Sequence, residues 1–199
     1  TNVLKMDNVK HVTTMRNARK KILKGTTRLD VILVSASKRF LNDTQSVILK
    51  GRWLTPVDEK NRAQVCVIGK NVKRKMFSIG KRNLIGSTIY VGGAVFRIVG
   101  VLENNLGTNL PGLGDPNDMI FIPKSTSNAL FGYNAFERER RALKISHVEH
   151  DLFIVKLKDI AFADHTSKRL KRYFTKQHAD LKDWGVLVPL SLFKQKEQT

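Results

Sequence analysis

Gln64-Val65-Cys66-Val67-Ile68-Gly69, followed by Asn71-Val72-Lys73-Arg74-Lys75-Met76-Phe77, is the stretch whose reading decides the fold. The first run is short, apolar and rich in β-branched residues, and glycine closes it, which predicts a buried strand. In the second run Val72, Met76 and Phe77 recur at helical spacing while the basic residues occupy the other side. Strand, tight turn and helix in direct succession predict an α/β unit.

Working outward, Ser87–Val91 and Ala94–Val101 are two β-rich runs separated by Gly92-Gly93, a dipeptide suited to the positive φ angles of a two-residue hairpin turn. Met119–Ile122 is a further apolar strand, stopped by Pro123. Ser125 or Thr126 is then positioned to open a helix that runs through Leu130-Phe131 to Gly132. Upstream, Val9–Met15 predicts a short strand and Arg16–Arg28 a polar hairpin with its tip at Lys24-Gly25-Thr26, from which Leu29–Val34 returns to the core. Ser35 or Ser37 could cap a short helix carrying Phe40 and Leu41. Downstream, Leu152–Leu157 predicts a buried strand. Ala163, Ser167, Leu170, Phe174 and His178 mark a helix, and Val186–Val188 a last strand before a polar tail.

The expected fold class is therefore α+β: a split α/β part built from βαβ units, with an inserted β-rich part. The division expected along the chain is residues 1–82 for the first portion of the split part, 83–146 for the insertion and 147–199 for the return. The segment Asn104–Asn117 contains Gly107, Pro111, Gly112 and Gly114, and carries Leu106, Leu110 and Leu113 in what is expected to be an exposed loop. A loop of that length is uncommon inside a compact domain unless it binds something or is mobile. These three leucines are the candidate partner-contact residues.

Composition narrows the function. Of 199 residues, 41% are apolar, enough to build a core and to exclude a wholly disordered chain. Lys and Arg number 36 against 17 Asp and Glu, leaving a net charge of +19, which attracts polyanions, anionic lipid head groups or acidic proteins. Part of that charge is clustered, at Arg16–Arg28, at Lys70–Lys75 and at Lys168–Lys176. No RNP-like aromatic motif, C2H2 spacing or helix-turn-helix accompanies it, so a nucleic-acid-binding reading rests on charge alone. The single Cys66 cannot form an internal disulfide, and within a strand it reads as a structural thiol. No apolar run approaches the roughly 18 residues that span a bilayer, and the first residues lack the form of a signal peptide. A start at Thr1 fits a piece cut from a longer protein, and equally tag removal or simple processing.

Catalytic patterns are missing. There is no GxxxxGK[ST], GxGxxG, HExxH or GxSxG. His147-Val148-Glu149-His150-Asp151 is rich in possible metal ligands, but it stands in a connector, where exposed polar residues are expected. Asp58 with Glu59, and Asp115 with Asp118, could serve acid/base work only if buried, which their loop positions do not suggest. No catalytic, cofactor-binding or metal-binding residue is assigned.

Taken in order, several of these motifs resemble a known family. Val47-Ile48-Leu49-Lys50-Gly51-Arg52-Trp53-Leu54-Thr55-Pro56-Val57-Asp58, then Ala63–Gly69, then Val72 and Met76-Phe77, resemble the opening run of the MacB-like periplasmic core domain of ABC-transporter permeases. Leu84–Ile89 with Val95–Val101 resembles its following hairpin, and Asp118-Met119-Ile120-Phe121-Ile122-Pro123 the strand after that. The resemblance extends from about Asp30 to about Val188. It implies a domain of a cytoplasmic-membrane permease of the FtsX-like/MacB superfamily, inserted between transmembrane helices and lying in the periplasm or outside the cell, with a porter-like α/β part and an inserted β-rich part. It further implies a second permease subunit in a dimer, a cytoplasmic ATP-binding subunit or domain, and a periplasmic adaptor or lipoprotein as partners in export or lipoprotein release. The family's domain transmits motion; it implies no enzyme activity, no cofactor and no specific nucleic acid. The +19 balance and the basic Arg16–Arg28 hairpin depart from the family pattern.

Overall fold

The computed structural model describes residues 3, 7–77, 84–105, 109–110, 113–132, 134–139, 142–147, 152–177 and 185–186. Its contacts divide the chain into two units, one of Thr1–Val12 with Ile154–Thr199 and one of Thr13–Phe153.

The larger unit is built on a mixed sheet. Its strands are β1 (Val9–Lys24, which begins in the smaller unit), β2 (Thr27–Ser35), β3 (Val47–Gly51), β4 (Val65–Gly69), β5 (Thr88–Val91), β6 (Ala94–Glu103) and β7 (Met119–Ile122). The order runs β1-β2-β7-β4-β6-β3, with β2 parallel to β7 and β4 parallel to β6. β5 pairs antiparallel with β6 on one side and with β1 on the other. The strands β1, β2, β7, β4, β6 and β5 therefore close a ring, and Gly92 N–H donates to the Lys21 carbonyl at 3.2 Å at the seam. β3, at one end of the order, keeps an open edge, and it is mostly exposed.

The predicted strand, turn and helix are present. All five residues of β4 are buried between β6 and β7, which accounts for a run with no polar alternation. Helix α3 (Lys70–Met76) follows at once, and its Val72 and Met76, with Phe77, enter the same core as Ile22, Leu33, Cys66, Ile68, Phe96, Ile98 and Ile120. The turn between β5 and β6 has φ of 56° at Gly92 and 96° at Gly93, as its sequence required. β5 and β6 belong to the same sheet as β4.

Four local expectations are corrected. Neither Ser35 nor Ser37 caps α1 (Phe40–Thr44): Arg39 stands at the cap without a side-chain bond. Ser35 is still in β2, where its Oγ accepts from the Arg16 N–H at 3.2 Å. Asp58 and Glu59 lie not in a loop but in α2 (Pro56–Lys60), which opens with proline and a Thr55/Asp58 capping box. Helix α4 (Lys124–Phe131) is not opened by a Ser or Thr side chain. The Glu59 carboxylate caps it instead, accepting from Lys124 N–H at 2.9 Å and Ser125 N–H at 2.7 Å. Finally, the Arg16–Arg28 hairpin is the continuation of β1 into β2, so the first strand is twice as long as its apolar part.

A hairpin that the sequence reading did not anticipate, β8 (Asn134–Glu139) with β9 (Ala142–His147), follows α4. Next comes β10 (Leu152–Leu157), which lies beside β1 in the strand order. Its residues are half-buried rather than buried, with Lys156 exposed. In the smaller unit α5 (Ala163–Gln177) buries Ala163, Thr166 and Leu170. Asn8 donates to the Asp159 carbonyl at 3.0 Å. Of the predicted last strand, Val186 has no regular structure and the rest lies outside the described residues.

Candidate functional site around the loop from residue 104 to 117

β6 ends at Glu103 and β7 begins at Met119, and the connection between them is anchored at its base. Asn104 N–H donates to Asn117 Oδ1 at 3.0 Å, and Asn117 Nδ2 returns a bond to the Asn104 carbonyl at 3.1 Å. Asn104 is buried, so this reciprocal clamp satisfies polar groups withdrawn from water. Asp115 accepts from Asn117 N–H at 2.8 Å and opens a 3-10 turn at Pro116–Asp118. That turn packs on the β4–α3 junction so closely that a Cβ on Gly69 would lie 2.2 Å from the Asn117 carbonyl oxygen. Glycine is required there by contact, not by backbone conformation, since its φ is −68°.

Charged pairs fasten the same region. Asp118 accepts from Lys75 Nζ at 2.8 Å and Asn71 Nδ2 at 3.1 Å. Burial works against its carboxylate, but the bonds from Lys75 and Asn71 outweigh it and hold the pKa below the usual range. Lys70 pairs with Glu103 across the end of the sheet.

The candidate contact leucines fare differently. Leu110 is buried, contrary to the expected exposure. Its N–H donates to the Gly114 carbonyl at 2.8 Å and its carbonyl accepts from Gly114 N–H at 2.9 Å, with Gly114 at φ 90°, so the loop turns back on itself. Leu113 is half-buried inside that turn, and Leu106 lies outside the described residues.

Titratable groups elsewhere have structural roles. Asp58 is buried, which its sequence position did not suggest. Its carboxylate accepts from Arg52 at 2.6 and 3.0 Å, Thr55 N–H at 2.8 Å and Thr55 Oγ1 at 2.7 Å. The Arg52 guanidinium, helped by Thr55 and opposed by burial, brings its pKa down to about 2. Such a group stays ionised at neutral pH and is a poor general base. Burial pushes the Cys66 thiol well above its ordinary value, as a structural thiol requires. Most of the pentad at 147–151 lies outside the described residues. Among the described residues, no three His, Cys, Asp or Glu side chains come together as metal ligands.

The basic clusters also resolve. Lys20 stands 4.7 Å from the centre of the Phe131 ring and Lys24 3.4 Å from that of Phe77. Arg16 donates to the Gly132 carbonyl at 2.7 Å. Lys168 pairs with Asp164 one turn away on α5, whose other cations form an exposed face. No described helix is long and apolar enough to cross a membrane. What the geometry offers is a closed ring of paired strands with the two ends of the 104–117 connection clamped to each other.

The family model described as MacB-like periplasmic core domain matches residues 2–173. The macrolide export ATP-binding/permease protein MacB of Wolinella succinogenes is 24% identical over 199 residues, which are 99% of this chain and 28% of that protein. The chain thus spans little more than a quarter of that relative's length. Among solved structures, the periplasmic region of MacB from Actinobacillus actinomycetemcomitans superposes with a TM-score of 0.66 at 20% identity, covering 100% of this chain and 80% of that one. The extracellular domain of the noncanonic ABC-type transporter YknZ from Gram-positive bacteria gives 0.64 at 18% identity, covering 94% and 86%. Both likenesses concern the fold.

Proposed function

Since this chain belongs to the family of MacB-like periplasmic core domains, we propose that it is the part of an ABC-transporter permease that carries ATP-driven motion to partner proteins or cargo outside the cytoplasmic membrane. The parent permease is membrane-tethered and dimeric, and a separate cytoplasmic ATP-binding subunit or domain drives it. An adaptor or a lipoprotein is the class of partner it meets outside. The domain itself makes and breaks no bonds.

The observation that carries this reading is the closed ring of strands with the apolar face of α3 packed into its core. A ring without a slipping seam moves as one body, so a displacement at one end appears at the other instead of being absorbed as shear. The loop at residues 104–117 is fixed to that body by the Asn104–Asn117 clamp and by Asp118. Leu113 keeps the role of a contact residue, Leu106 is named beside it from the sequence alone, and Leu110 is turned inward by its bridge to Gly114.

Leu113→Ser tests the assignment in the intact permease. Transport should fall severalfold while the melting temperature of the isolated domain stays within a degree or two, the change expected for a half-exposed side chain. Undiminished transport would refute the contact role. To test the motion itself, a spin label is placed at exposed Asn61→Cys, where buried Cys66 does not compete. The distance between the two copies should change between ATP-bound and nucleotide-free states. A distance indifferent to nucleotide would refute transmission.

A further inference from the structure

The strand register places an apolar row on the outer face of the ring. Leu23 of β1 stands opposite Tyr90 of β5, and Tyr90 stands opposite Val95 of β6. Directly opposed residues share a face, so the three side chains project together. They are 37%, 45% and 45% exposed, among the most exposed large apolar residues of the larger unit. On the far side of Leu23 the row continues into Arg28 of β2. Three inter-strand spacings of about 4.8 Å make the whole row about 14 Å long.

Cations frame it. Lys21 and Arg19 precede Leu23 at the same-face interval of two along β1, and Arg97 lies two residues from Val95 on β6. All are exposed, as is Arg28. Among the described residues of these strands, the carboxylate that shares this face is Asp30, opposite Lys21. A depression of about 360 Å³ opens beside the row, lined by Lys21, Leu23, Arg28, Leu29 and Asp30. The neighbouring Lys20 and Lys24 point to the other face, over Phe131 and Phe77. The hairpin thus sorts its cations into two sets, one packed on aromatic rings and one left around an apolar strip.

We propose that this face, centred on Leu23, Tyr90 and Val95, docks on the surface of an anionic phospholipid bilayer. Charge complementarity selects the occupant: four cations against one carboxylate match a sheet of phosphates, and the apolar strip matches the boundary between head groups and acyl chains, where tyrosine is favoured. The proposal uses the reading of this chain as a domain beside a membrane only to say where lipid is met; binding to vesicles can be measured whether or not that reading holds.

The experiment is co-sedimentation of the 199-residue chain with vesicles of equal parts phosphatidylglycerol and phosphatidylcholine, and with pure phosphatidylcholine. Binding should require phosphatidylglycerol and weaken with salt. Each framing cation contributes about fivefold, so Lys21→Gln with Arg28→Gln should lower partitioning about 25-fold. The control pair Lys171→Gln with Arg172→Gln on α5, with the same change in net charge, should lower it far less. Leu23→Ser with Tyr90→Ser should weaken binding at unchanged charge, and thermal melts of every variant check the fold. Three results would each overturn the proposal: equal losses from the two charge pairs, no loss from the apolar pair, or abolition of binding by millimolar inorganic phosphate, which marks a simple anion site. Failure here with nucleotide-dependent motion intact would leave the permease reading standing; success with no such motion would do the reverse.

Discussion

Asp58→Asn isolates the junction that ties the end of β3 to α2. The wild-type carboxylate accepts four bonds, two from Arg52 and two from Thr55, and carries the charge that Arg52 meets. Asparagine keeps the shape but turns an NH2 toward groups that are themselves donors. A drop in pKa from 3.8 to about 2 corresponds to about 2.4 kcal/mol at 1.36 kcal/mol per pH unit. Because the Arg52 side chain is 46% exposed, solvent screens part of it, and about 2 kcal/mol is the expected cost at pH 7. The folded-state pKa is depressed, so this stability is fully present above the unfolded value near 3.9 and is lost as pH falls toward 2. At pH 3 the gap between wild type and variant should have narrowed by about 1 kcal/mol, and near pH 2 it should almost close. Other carboxylates titrate in both proteins and cancel in the difference. Urea titrations in a Trp184→Phe background report on Trp53, whose ring stacks on Phe40 at 5.6 Å and contacts Phe121 at 5.5 Å. A gap that stays constant between pH 6 and pH 3 would refute the role given to this charge.

Two further outcomes follow from packing. Gly69→Ala should destabilise the domain by at least about 2 kcal/mol, because the added Cβ meets backbone at Asn117 and not a movable side chain; a melt within a degree of wild type would show that the 3-10 turn is not seated as described. Cys66 should react with a disulfide reagent no faster than the larger unit unfolds, given its complete burial and raised pKa; rapid labelling of the native chain would refute its place in β4.

Periodicity carried the parts of the fold that depend on near neighbours. Val65–Gly69 with Val72 and Met76 could be read as strand and helix because burial on every face leaves an unbroken apolar run, and burial on one face leaves a 3.6-residue stripe. Gly92-Gly93 could be read because few other residues adopt two successive positive φ angles. The Thr55-Pro56-Val57-Asp58 helix start was legible too, as a capping box with proline at its first position, but its shortness hid it behind the aromatic-glycine run before it. What no local pattern carries is pairing across the chain. Glu59 caps a helix that begins 65 residues later, and nothing near Lys124 announces it. Leu110 reads as an exposed loop leucine because sequence shows the breakers around it and not the Gly114 bridge that turns it inward.

Closure of the ring is the most consequential of these nonlocal facts. It rests on Ile22 and Leu23 meeting Val91 and Tyr90, residues almost 70 positions apart. Inward, that contact places Ile22 and Val91 in the core at no exposure, which makes the seam stiff. Outward, the same two pairs place Leu23 beside Tyr90 and create the apolar strip that the cations frame. Alternation along a strand makes these consequences inseparable: a one-residue slip at the seam would bury Tyr90 and expose Ile22, losing the core and the docking face together. Rigidity and the outer surface are therefore set by one register. A substitution that weakens the seam, such as Val91→Ala, should lower stability by about 1–2 kcal/mol and weaken vesicle binding in parallel, whereas Tyr90→Ser should affect binding alone. Measured on the same preparations, loss of binding by Val91→Ala without any loss of stability would break that link.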